Sequence, residues 1–167
     1  NGAALATPVF LSLYAENDLR LDKYFAEADE KGFRKNKKAG SNNYLCTFRV
    51  GEIYLTAAEA AARLGELSQA RTRLLELMRK RYAPEAYEAK SVVVNAMDKE
   101  ALVQEILDER ARELAFEGHR WFDLRRSTRP RLEKVLDGTR YVLEENDARY
   151  TLAIPKEAIE ANPGLLN

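Results

Sequence analysis

The chain has 167 residues, 46% hydrophobic and 32% charged, enough for a single domain over residues 1–167 with a sizeable core. Basic and acidic side chains balance at 27 each, so no global field favours nucleic acid or an anionic membrane. One cysteine excludes an intrachain disulfide and a thiolate zinc cluster, and no run approaches the ~20 apolar residues of a membrane span.

Asn1-Gly2 reads as an internal cut, so the missing leader says nothing about where the parent protein resides. Thr7-Pro8 predicts a helix start, with the hydroxyl as N-cap and proline at the first helical position, followed by the apolar run Val9 to Tyr14. Asp18 to Ala28, DLRLDKYFAEA, reads as a second short amphipathic piece. Glycine, asparagine and lysine dominate Lys31 to Asn43, which predicts an exposed loop, with the basic run Arg34 to Lys38 solvated. Tyr44 to Phe48 is expected to be briefly extended, with Cys46 as a small buried hydrophobe.

Val50 to Leu64 predicts a helix, with Ile53, Ala57, Ala60, Ala61 and Leu64 as one stripe whose alanines permit a helix neighbour at ~8 Å. Gly65 ends it, and Ser68 begins a second helix to about Arg81, with Ala70, Leu74, Leu77, Met78 and Arg81 on one side. Small residues around a glycine turn match the tetratricopeptide type of helix pair, without a second copy at the expected period. One such pair cannot bury its own faces and needs partners elsewhere. Pro84 to Asn95 is read as a connector, with Val92 to Val94 touching the core.

From Asp98, an N-cap, a long helix carries Val103, Ile106, Leu107 and Leu114 on one arc. Arg110 and Glu117 fall inside that arc and Glu113 on its flank, while Gln104, Glu105, Asp108 and Arg112 form the expected solvated face. Charges inside an apolar stripe persist only when paired, because a stranded buried charge is costly. Gly118 marks a break, after which His119 to Arg126 adds aromatics and further ion-pair partners. Arg110, Glu113, Glu117, Arg120, Trp121 and Asp123 are therefore expected to form a structural ion-pair core. Beyond Pro130, Arg131 to Leu136 is read as helical and Asp137-Gly138 as a turn. Tyr150 to Ile154 reads as a strand, and Pro155 to Ala161 as one or two helical turns before Asn162-Pro163.

Little here suggests catalysis. Glu105, Glu109, Glu113 and Glu117 recur every fourth residue, yet a carboxylate-bridged metal site wants a histidine three residues from a glutamate, and the sole histidine, His119, has Phe116 and Phe122 at those offsets. Neither a metal nor a cofactor is expected. A glycosidase using Glu109 or Glu113 is disfavoured because neighbouring arginines hold both ionised. There is no GxSxG elbow, no GxGxxG and no phosphate loop. The remaining class is binding. Tyr14, Asn42, Asn43 and Tyr44 are the candidate ligand-binding residues, since aromatic faces stack on sugars and amides orient them.

Three motifs in order, DLRLDKYF (18–25), RVGEIYLTAAEAAARLGELSQA (49–70) and ERARELAFEGHRWFDLRR (109–126), with the ending IPKEAIEANPGLLN (154–167), resemble the C-terminal portion of the SusD/RagB family of nutrient-binding outer-membrane lipoproteins. The resemblance implies a mostly α-helical fold with tetratricopeptide-like helix pairs, in a protein about three times this length. It implies capture of oligosaccharides, or of peptides in some members. The implied partner is a SusC-like TonB-dependent outer-membrane transporter, and the implied location is the cell surface, held by a lipid anchor outside these residues. Arg110, Glu117, Arg120, Trp121 and Asp123 fall on its most specific motif, as scaffold. The other reading is a tetratricopeptide-type scaffold for protein partners.

Overall fold

The computed structural model describes residues 5–38, 49–136 and 138–166. Their fold is mostly α-helical, and the chain divides into two compact units, residues 1–120 and 121–167.

The first unit begins with strand β1 (Leu5–Ala6) and helix α1 (Pro8–Leu11), whose N-cap Thr7 accepts from the Phe10 amide as its sequence anticipates. The amphipathic piece after Asp18 is split. Helix α2 (Arg20–Tyr24) gives way to strand β2 (Phe25–Ala28). The loop expected over Lys31 to Asn43 contains strand β3 (Arg34–Asn36), the centre of a β1-β3-β2 antiparallel sheet. Pairing partners on both sides outweigh the loop-like composition. Tyr44 to Phe48, including Cys46, lies outside the described residues.

Helix α3 (Val50–Leu64) ends at Gly65 in the left-handed conformation, which glycine adopts without steric cost, and helix α4 (Leu67–Met78) follows. The packed face of α3 is not the expected stripe. Leu55, Ala58, Ala61 and Ala62 are buried, whereas Ile53, Ala57, Ala60 and Leu64 are exposed. The connector at 84–95 is helix α5 (Pro84–Ala96): Pro84 at its first position and good helix formers through Lys90 outweigh the β-branched run, of which only Val94 is buried. Asp98 caps helix α6 (Lys99–Glu113) by accepting from the Ala101 amide. Leu55, Ala58, Ala62, Leu74, Met78, Leu102 and Ile106 form the main core between α3, α4 and α6. A smaller cluster gathers Tyr14, Phe25 and Ala115 with Phe10.

Past α6 the backbone turns through Phe116 and Gly118, both at positive φ, into helix α7 (His119–Arg126). In the second unit the segment expected to be helical at 131–136 is strand β4 (Leu132–Leu136), paired antiparallel with β5 (Thr139–Leu143). Apolar residues at Leu132, Val135 and Leu136 suit either period, and the pairing partner decides. Tyr150 closes a short 3₁₀ turn, Ala148–Tyr150, and is fully buried, so no strand runs from it to Ile154. Helix α8 (Lys156–Ala161) ends at Asn162, and a 3₁₀ helix, Pro163–Leu166, follows.

Candidate functional site

The chemistry of the first unit concentrates along one side of α6. Four carboxylates spaced four residues apart, Glu105, Glu109 and Glu113 on the helix and Glu117 in the turn after it, are bridged in succession by cations, of which Arg112 belongs to α6 itself. Arg112 joins Glu105 at 2.7 Å to Glu109 at 2.8 Å. Arg20 joins Glu109 at 2.6 Å to Glu113 at 3.2 Å. Arg49 joins Glu113 at 2.6 Å to Glu117 at 2.7 Å. Lys38 closes the far end on Glu117 and donates to the backbone carbonyl of Glu113, completing the carbonyl end of the helix. Arg81 grips Glu113 through two bonds, Nε to Oε2 at 2.8 Å and Nη2 to Oε1 at 2.9 Å. Such forked contacts fix geometry as well as charge.

Arg20 lies at the middle of this ladder and is 2% exposed. Its Nε and Nη2 also donate to both oxygens of Asp18, at 2.9 and 2.7 Å. The guanidinium sits over the rings of Tyr82 and Tyr14, 5.4 and 5.9 Å from their centroids.

These contacts set the protonation states. Burial by itself would raise the Glu109 carboxyl, but the positive charges of Arg20 and Arg112 outweigh it and hold the group below its ordinary range. Burial opposes ionisation of Glu113 too, and the guanidiniums of Arg81, Arg20 and Arg49 bring it down to about 2. Burial lowers the Lys38 ammonium, an effect Glu117 partly offsets. Carboxylates so saturated with donors hold charge and position; they neither give up nor take a proton near neutral pH.

Close approach of α3 completes the site. A Cβ placed on Gly51 would lie 2.9 Å from Glu113 Oε1 and 3.2 Å from its Cγ. Glu113 is pinned by three arginines and cannot step aside. Gly51→Ala should therefore destabilise by about 1–3 kcal/mol through overpacking, reversing the ~1 kcal/mol gain that alanine brings in an open helix. A thermal melt checks this, and an unchanged or higher midpoint contradicts it.

The expected core residues are placed unevenly. Glu113 and Glu117 stand in the ladder. Arg110 is buried on another side of α6, where it donates to the Thr56 hydroxyl at 3.2 Å. Arg120 is exposed on the first turn of α7, which corrects its assignment to the interior. In the second unit, Asp123 is buried and bound by Arg126 at 2.6 Å, and half-buried Trp121 stacks on Tyr150 at 5.2 Å. The Tyr150 hydroxyl donates to the Pro130 carbonyl.

Two other expectations fail on burial. Arg112, assigned to a solvated face, is 4% exposed, because residues 13–20 cover that side: Arg112 donates to the Leu13 carbonyl and its own carbonyl accepts from the Tyr14 hydroxyl. For the same reason Tyr14, proposed as an exposed ligand contact, is buried with its ring edge-on to Phe10 and Phe25. Asn42, Asn43 and Tyr44 lie outside the described residues. Sequence reasoning missed Arg20, Lys38, Arg49 and Arg81 as partners of the ladder carboxylates, and Asp18 as a further partner of Arg20. Their one visible signal was a regular carboxylate series with too few cations on its own helix.

The sequence profile of the SusD family matches residues 11–167. Among solved structures, the fold is similar to that of a SusD-like carbohydrate binding protein from Bacteroides vulgatus ATCC 8482, with a TM-score of 0.62 and 20% sequence identity. That likeness covers 94% of this chain and 40% of the other, so the chain spans about two fifths of that protein's length. No curated protein matches the chain in sequence.

Proposed function

Because the chain belongs to the SusD family over residues 11–167, we propose that it is part of a non-catalytic nutrient-binding protein that captures oligosaccharides at the cell surface. The family match carries this reading, and the solved relative of like fold, itself described as carbohydrate binding, supports the choice of glycan over peptide. The protein works beside a SusC-like TonB-dependent outer-membrane transporter, to which it passes its ligand. It is held at the membrane by a lipid anchor outside these residues; among the described residues no helix is long and apolar enough to cross a membrane.

The ladder supports the non-catalytic reading. A glycosidase needs one carboxyl whose proton affinity is raised, to act as acid. Glu109 and Glu113 are instead held below their ordinary range. Calorimetric titration of the complete protein against a glycan panel should give saturable binding with no new reducing ends. Turnover of a sugar would overturn the reading, and capture of a protein with no glycan bound would favour the scaffold reading.

A further inference from the structure

We draw no further inference here: the strongest candidate, the side-chain cluster just beyond α6 in which Lys38 and Arg49 meet on Glu117, belongs to the ionic ladder already described, and the stretch it would tie together, residues 39–48, lies outside the described residues.

Discussion

Replacing Arg20 with alanine should lower stability by about 3–5 kcal/mol, the expected cost of removing one partner from a buried ionic network. The side chain meets Asp18, Glu109 and Glu113, whose own side chains are 0% exposed. Without it, Asp18 loses donors on both oxygens, and Glu109 retains Arg112 and a long contact from the Tyr82 hydroxyl at 3.4 Å. Two buried carboxylates then face an apolar surround with too few donors. In a chain of this size the melting midpoint should fall by about 10 °C or more. Arg20→Lys restores the charge but not the fork, so it should recover only part of the loss. A stability for Arg20→Ala within about 1 kcal/mol of the parent would mean that water reaches the ladder, and its assignment as an interior structural element would fail.

Acid should weaken the fold through Glu113. The group ionises near 4.5 when free and near 2 when folded. A depressed carboxyl stabilises the folded state fully above its unfolded value, and that contribution disappears as pH falls from about 4.5 towards 2. At about 1.4 kcal/mol per unit, the swing is about 3 kcal/mol. Glu109 acts in the same direction. Chemical denaturation at pH 7, 5 and 3 should show near-constant stability over the first interval and a steep loss over the second. Glu113→Gln should be less stable at pH 7, because Arg20, Arg49 and Arg81 all lose the charge they surround. It should also show a shallower decline below pH 5. A variant whose acid profile parallels the parent's would locate the acid sensitivity elsewhere.

These expectations describe a scaffold whose rigidity comes from placed charge. Members of the first unit that are far apart in sequence are tied to one side of α6: Asp18 and Arg20 from the N-terminal segment, Lys38 after β3, Arg49 before α3 and Arg81 after α4. Glu113 and Glu117 each share more than one cation, so loss of Lys38, Arg49 or Arg81 leaves them partnered. Loss of Arg20, by contrast, removes the side-chain donors on Asp18 and one of the two cations on Glu109.

Much of this was legible locally. The Thr7, Asp98 and Gly65 boundaries follow from capping and backbone freedom, which depend on only a few neighbouring residues. The four-residue carboxylate series along α6 follows from helical period alone, and so does the conclusion that some of its charges are interior. The family motifs lie in the same continuous stretches. What the period could not reveal is which side of α6 would be covered. It placed Arg112 in water and Arg110 in the stripe, yet both are buried, because residues 13–20 fold over the face that helical spacing marks as polar. Tyr14 is hidden for that reason. Strands β3 and β4 were misread since each is defined by its partner more than by its own residues.

Caps, turns, helix period and the acidic series are set by contacts spanning a few residues, and the sequence by itself determines them together with membership of the family. The identity of each cation that neutralises the series, and the side of α3 left facing solvent, are long-range outcomes. Arg20 and Glu109 are 89 positions apart, and only the folded backbone brings them to 2.6 Å, because ionic pairing has no sequence period and depends on which surfaces hydrophobic packing has already brought together.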